Sequence, residues 1–292
     1  MINLIIAIYI FCSLCSSTSG TIETGYAEHF TGTVSTYSRF VEYSSNEDCL
    51  SVHEEIYKAQ QLYCIPAYEE AIVEPEITDY VEELKKFGYY KEEYKSADLN
   101  TRNAVLRFQS AHNIIVDGIW GEKSMSTLKK RLMEGNMRYN DIVTSPASDN
   151  KWIVINKTKR ILTLYNGKCV IEKFPVAIGS PPSLTPDGKF SISVKVVNPA
   201  WGGGGYAKPV PGGSPNNPLG YRWMGLSIGG GDRYGVHGNN SPYSIGKNVS
   251  HGCIRMINSD VEHLYSIVPL NTKIWIGTED QLEEWGITQE EY

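Results

Sequence analysis

Near residue 150 the hydrophobic period of the chain changes from that of a helix to that of a strand, and this change constrains the fold more than any other feature. Before it, ITDYVEELKKFG places Ile77, Tyr80, Val81, Leu84 and Phe87 on one helical face, with Asp79 and Glu82 spaced as a capping box and Gly88 as a stop. LNTRNAVLRFQSAH then sets Val105, Phe108 and His112 at helical spacing. IIVDGIWG supplies two tight turns, and EKSMSTLKKRL gives Met125, Leu128 and Leu132 to a third helix. Beyond Trp152 the period is two. ILTLYNGKCVIEKF alternates around Asn166-Gly167, the pair favoured in type I′ hairpin turns, whose central residues both need positive φ. PDGKFSISVKVV repeats the pattern after a Pro-Asp-Gly turn, and TKIWIG reads as a closing strand. Few helices are expected in this half, the clearest of them entered through a capping box of Ser259 and Glu262 ahead of LYSIV.

These patterns predict two domains: a small all-α module of three helices over 76–134 and a mainly β domain over 151–278. A polar linker, 135–150, would separate them, and 279–292 would form a tail. A chain of 292 residues has room for both cores. Residues 1–20 carry no ionised side chain and join an apolar run to small polar residues, which reads as a signal peptide cleaved near Gly20. The run falls short of the ~20 residues of a membrane span. The expectation is therefore a secreted, cell-wall-associated protein with no stable membrane insertion after cleavage. Neither Cys12 nor Cys15 follows a lipoprotein pattern. Residues 21–75 mix Ser, Thr and Tyr with one helix-like piece around His53 to Tyr63 and suggest no function.

The net charge of −6 argues against a nucleic-acid partner, which requires a basic face. Without the leader four cysteines remain. Cys49 and Cys64 could pair across a loop of roughly 15 residues, worth about 3 kcal/mol, or stay as two buried thiols. None of these four stands in CxxC spacing, so no structural zinc is expected. Cys169, just past the hairpin turn, reads as structural. A Gly- and Pro-rich stretch, Asn198 to Gly220, is the length of loop that usually serves as a lid over a site.

VSHGCIRM raises the chemical question. Its Cys253 could be a disulfide half (with Cys169), a small buried hydrophobe, a metal ligand or a nucleophile. Read as an extended segment, period two puts His251, Cys253 and Arg255 on one side and Ile254 and Met256 in the core. Upstream, RYGVHGNN offers His237, with Val236 directed inward by the same alternation. A thiol of ordinary pKa is only a few per cent thiolate near neutrality, so a nucleophilic cysteine wants a base or a cation beside it. Packing alone demands no such polar cluster.

Two stretches resemble known families. AVLRFQSAHNIIVDGIWGEKSMSTL is similar to the core of the peptidoglycan-binding module appended to bacterial wall enzymes, with AV-x-x-FQ, DG-x-x-G and a closing T-x-x-x-L in which Ser124 stands for Thr. That likeness implies a wall-targeting role. VHGNNSPYSIGKNVSHGCIRM resembles the signature of the L,D-transpeptidase (YkuD-type) catalytic domain, and the likeness runs on through TPDGKF, NPLGYRWMGLSI and NSDVEHLYSIVPLNTKIWIG. What the resemblance implies is a monomeric enzyme that joins peptidoglycan stem peptides, as donor and acceptor, without metal or organic cofactor. Cys253 would be the nucleophile and His237 the proton carrier. The Gly238 carbonyl or the Ser250 side chain would hold the imidazole tautomer, and N–H groups near Gly252 and Cys253 would stabilise the oxyanion. Arg255 would hold substrate charge while His251 shapes the site. Water in place of the acceptor amine would make it an L,D-carboxypeptidase, and an inert site would leave a peptidoglycan-binding protein. Papain-like and NlpC-type peptidases place cysteine before histidine, the reverse of the order here.

Overall fold

The computed structural model describes residues 75, 77–135, 139–205 and 207–292 in full, and the backbone alone of three strands nearer the start, β1 (Ile6–Phe11), β2 (Gly20–Phe30) and β3 (Thr33–Tyr43). Those three form an antiparallel sheet in the order β1-β2-β3, within a unit spanning Met1–Val73. β1 runs through the segment read as a leader. Cys12, Cys15, the Cys49–Cys64 pairing and the helix-like piece at 53–63 lie outside the described residues.

The second unit, Glu74–Tyr292, holds both expected domains. Its helical module consists of α1 (Tyr80–Lys86), α2 (Ala97–Ala111) and α3 (Glu122–Glu134). Asp79 caps α1 by accepting from the Val81 N–H, but Glu82 does not complete the box: its carboxylate is held by Lys85 at 2.6 Å. Leu84, Ala104, Val105, Phe108, Ile114 and Leu128 make the module's core, as the helical spacing predicts.

The nine-stranded sheet is built from β5 (Lys151–Asn156), β6 (Ile161–Asn166), β7 (Cys169–Gly179), β8 (Gly188–Val197), β9 (Arg222–Leu226), β10 (Gly235–His237), β11 (Asn248–Ser250), β12 (Ile254–Met256) and β13 (Lys273–Gly277). Its order is β11-β7-β12-β10-β9-β8-β13-β5-β6, and a further β6–β7 pairing joins the ends into a closed barrel. The long β7 does this by pairing with β6 through its first residues and with β12 and β11 through its last. Closure leaves few free edges. Every second residue then points inward: Ile153 and Ile155, Leu162 and Leu164, Phe174, Val176 and Ile178, Ile254 and Met256, Ile274 and Ile276 form one core with Val261 and Leu264 of α4 (Asn258–Ile267).

Four local expectations change. The hairpin loop is Gly167-Lys168 rather than Asn166-Gly167: Asn166 still pairs with Cys169, and Gly167 alone has positive φ (56°), as a turn with glycine first requires. α4 exists without its capping box, because Ser259 lies inside the helix and donates to Glu93 instead. The linker and the tail are not loose. β4 (Asp141–Val143) pairs antiparallel with β14 (Ile287–Gln289), and with α5 (Glu279–Glu284) they cover Trp152, Val154 and Tyr165 on the outer face of the barrel. A strand reading WIVI is apolar on both faces and must be buried on both, which a solvated linker could not do.

The fourth change is largest. The spacing of Val105, Phe108 and His112 marked one face of α2, yet every residue from Asn103 to Ile114 is buried. One side packs into its own module. The other sends Leu106, with Val116, against Ile161, Ala177, Ile245 and Ile257 of the barrel domain. Arg102 donates to the Ile245 carbonyl (2.8 Å) and Arg160 to the Val116 carbonyl (2.8 Å) across the same seam. Beneath it Arg107, with 8% of its side chain exposed, is fixed by Asp260 of α4 and by Glu93, each at 2.8 Å. Module and barrel therefore share a core. Urea unfolding is expected to be one transition, with loss of helix by far-UV circular dichroism coincident with the tryptophan fluorescence change of the barrel. Leu106→Ala should shift both curves together, costing about 2–5 kcal/mol. An earlier, separate loss of helix would show the module to be merely tethered.

Candidate active site

His237 is the last residue of β10. Its neighbours are Trp223 on antiparallel β9 and Arg255 on parallel β12, and Val236 pairs with Ile254 one step back. The expected alternation holds: Val236 lies in the core, and His237, though only 3% exposed, lines a cavity. The Trp223 indole stacks on the imidazole at 5.5 Å and 24°, and is itself pinned by a 2.9 Å hydrogen bond from Nε1 to the Gly231 carbonyl. Nδ1 of His237 sits 2.6 Å from the carbonyl oxygen of Gly238. A carbonyl can only accept, so Nδ1 carries the proton and Nε2 keeps its lone pair. Of the two groups named for holding the tautomer, the carbonyl does it; Ser250 does not.

Ser250 shapes the cysteine loop instead. Its hydroxyl donates to the Cys253 carbonyl (2.6 Å) and accepts from the Gly252 N–H (3.1 Å). The Gly252 N–H, one of the two expected oxyanion donors, is thereby engaged within the loop. Gly252 adopts φ +125°, and a Cβ there would stand 2.5 Å from the Leu184 carbonyl oxygen, so only glycine fits. The Gly252 carbonyl accepts from Thr185 (3.0 Å), a fully buried hydroxyl that also takes the Gly179 N–H. Past this bend the period-two reading is correct. Ile254 and Met256 are fully buried, Cys253 and Arg255 are half-buried and open to the cavity, and His251 is exposed at its rim. Cys253 and Cys169 are both free thiols, so the disulfide reading fails.

The cavity, about 740 Å³, joins His237, Ser250, His251, Cys253 and Arg255 to Asp232, Arg233 and the long loop. Trp201 and Leu219 come from that loop, whose described residues are held by hydrogen bonds of their own. Trp201 bridges to Val210, and the buried Asn217 amide donates to the carbonyls of Pro199 (2.7 Å) and Pro211 (3.3 Å). Among the described residues no group of three or more His, Cys, Asp or Glu could hold a metal ion.

Burial governs both titrating groups. It pushes the His237 imidazole down to about 4, with the charge of Arg255 acting the same way and the Gly238 hydrogen bond opposing. It pushes the Cys253 thiol up, against a backbone hydrogen bond from Gly235 and the Arg255 charge. At neutral pH the pair is therefore a neutral thiol and a neutral imidazole.

Sequence reasoning missed the residues that aim these groups. Asn239 and Asn258 clasp each other: Asn258 Oδ1 accepts from the Asn239 N–H (2.9 Å) and its Nδ2 donates to the Asn239 carbonyl (2.9 Å), while Asn239 Nδ2 donates to the Met256 carbonyl (2.7 Å). Asn258 Oδ1 presses so near Gly238 that a Cβ there would lie 2.3 Å from it. The only signal was the Asn after His-Gly, and nothing local marked Asn258 or Thr185.

A family model described as "L,D-transpeptidase catalytic domain" (YkuD) matches residues 150–276, and one described as "Putative peptidoglycan binding domain" matches 73–128. The "Putative L,D-transpeptidase YqjB" of Bacillus subtilis is 41% identical over 139 residues, 47% of this chain and 77% of that protein. The "Putative L,D-transpeptidase YkuD" of the same organism is 40% identical over 125 residues, 43% of this chain and 65% of that protein. A solved L,D-transpeptidase from Xylanimonas cellulosilytica covers 70% of this chain and 93% of its own at 20% identity and a TM-score of 0.47, too distant to bear on the assignment. A barrel with a thiol and an imidazole in its cleft, behind a peptidoglycan-binding-like module, defines an enzyme that works on the bacterial wall. The chain belongs to the L,D-transpeptidase family.

The depressed imidazole has a direct signature. The unfolded state binds a proton at His237 near pH 6.5 and the folded state only near 4. Stability is thus expected to fall on acidification through that window, levelling off below about 4. Ring-nitrogen NMR should place the His237 midpoint near 4 with the proton on Nδ1. A midpoint near 6.5 would contradict the burial argument.

Proposed function

We propose that this enzyme forms cross-links between peptidoglycan stem peptides through a thioester on Cys253. The observation that carries the reading is the meeting, in one cavity, of the Cys253 thiol with an imidazole whose Nδ1 is held by the Gly238 carbonyl.

With thiol and imidazole both neutral at rest, the proton leaves sulfur as sulfur attacks. Cys253 Sγ adds to the carbonyl that joins the diamino acid of a donor tetrapeptide to its terminal D-alanine, and His237 Nε2 takes the proton. The oxyanion is met by the Cys253 N–H, held in place by the Ser250 bridge to the Cys253 carbonyl. Collapse breaks the C–N bond, His237 returns its proton to the departing amine, and D-alanine leaves. The side-chain amine of an acceptor stem then attacks the thioester, passes a proton to His237, and releases the thiol. The charges of Arg255 and Arg233 at the cavity suit a substrate bearing carboxylates, and His251 stands at the rim. The ordered loop carrying Trp201 forms one wall, the place a lid would occupy. The helical module adds a wall-targeting role. Such a substrate puts the work outside the cytoplasm. Among the described residues no helix is long and apolar enough to cross a membrane.

Incubation with purified disaccharide-tetrapeptide, followed by mass spectrometry, tests this. The expected product is a dimer with one D-alanine released per cross-link. Cys253→Ala should form none, and His237→Ala should react about 10²–10⁴-fold more slowly. Tripeptide without dimer would make the acceptor water and the enzyme an L,D-carboxypeptidase. Dimer formation by Cys253→Ala would remove the mechanism altogether.

A further inference from the structure

Three contacts, the first and third between the helical module and the barrel and the second within the barrel, lead to the two chemistry-bearing segments. The first begins at Arg107 on α2, whose guanidinium grips Asp260 through both Nε (3.2 Å) and Nη2 (2.8 Å). Asp260 is 2% exposed, and Ser259 beside it donates to Glu93, the other carboxylate on Arg107. Asp260 and Ser259 sit in the first turn of α4, which no side chain of its own caps. What anchors the start of α4 is thus the module.

The second contact lies one residue earlier. Asn258 opens α4, and its amide clasps Asn239 from both sides and fills the space above Gly238 and Gly220, where a Cβ would lie 2.3 and 2.6 Å from its Oδ1. The Gly238 carbonyl is the group that holds His237 Nδ1. A displaced α4 start moves Asn258, and through Asn239 and Gly238 it turns the imidazole.

The third contact reaches the other segment. Arg102 of α2 holds the Ile245 carbonyl, and Leu106 packs so close to Gly246 that a Cβ there would meet it at 2.8 Å. From Gly246 the chain runs straight into β11 and the Cys253 bend.

We infer that the helical module sets the geometry of the Cys253–His237 pair, with Arg107 as a positioning residue acting through Asp260, Asn258 and Asn239. The module is then part of the catalytic apparatus in addition to any hold on the wall. The inference rests on the reading of Cys253 and His237 given above, and adds to it a function for residues outside the barrel.

The test reads the pair without relying on turnover. Alkylation of Cys253 by iodoacetamide, followed across pH on the full chain, should show a plateau between deprotonation of His237 and ionisation of the thiol, where the imidazole assists. Arg107→Gln and Asn258→Ala are each expected to lower that plateau at least tenfold, leave the thiolate limb at high pH in place, and reduce kcat with little change in KM. Lys86→Ala, which removes an ion pair confined to α1, should behave as the unaltered chain. A merely structural role would lower the unfolding midpoint and leave the plateau where it was. A plateau within twofold of normal in folded Arg107→Gln or in folded Asn258→Ala overturns the inference; should the first not fold, the second decides. If the unaltered chain itself shows no plateau, it is the base assignment of His237 that falls.

Discussion

His237 ends β10 and Cys253 immediately precedes β12, and the parallel pairing of these two strands is the constraint on which the site depends. Parallel neighbours need a crossover between them, and here it is the excursion from Gly238 to Gly252. That crossover has to bring the chain back at the right height, because a slip of one residue would turn Arg255 and Cys253 into the core and Ile254 and Met256 into the cleft. The burial of Ile254 and Met256 resists such a slip, as does the hydrogen-bonded bend at Gly252. The hydrophobic core thus specifies the catalytic register as well as the fold.

The same burial sets the chemistry. A site that removes water raises a thiol and depresses an imidazole, so neither the thiolate nor the imidazolium is favoured before a substrate arrives. In the proposed reaction the charges would appear only as bonds change, where prearranged backbone groups need no reorganisation to meet them. Arg255, beside His237 on the paired strand, favours the thiolate and disfavours the imidazolium, and so does not tilt the pair toward an ion pair at rest.

Much of this architecture was legible in the sequence. The two periods located the helices and strands, the alternation through VSHGCIRM assigned the faces, and the His-Gly and Ser-His-Gly-Cys-x-Arg stretches marked the cleft. What was hidden has a common cause. The Asn239–Asn258 clasp, the Thr185 anchor and the Arg107–Asp260 pair join residues far apart along the chain, and no local pattern announces a long-range hydrogen bond. Ser259 misled because its spacing to Glu262 suits a cap, while tertiary structure gave its hydroxyl a better partner in Glu93. The spacing of Val105, Phe108 and His112 disclosed one covered face of α2 and not the second, where Asn103, Arg107 and Ser110 are polar yet buried.

The pairing of β4 with β14 bears on the order in which the molecule can be assembled. β4 lies between the module and the barrel, yet its partner is the strand furthest along the chain among those described. Asp141 of β4 ties in Lys173 and Tyr165 from the barrel, Asn113 from the module and Gln289 from β14. A chain made or threaded from its N-terminal end must therefore leave this junction unsealed until residues 287–289 emerge. The last described strand is thus a latch, closing a junction in which module, linker strand and barrel already meet at Asp141.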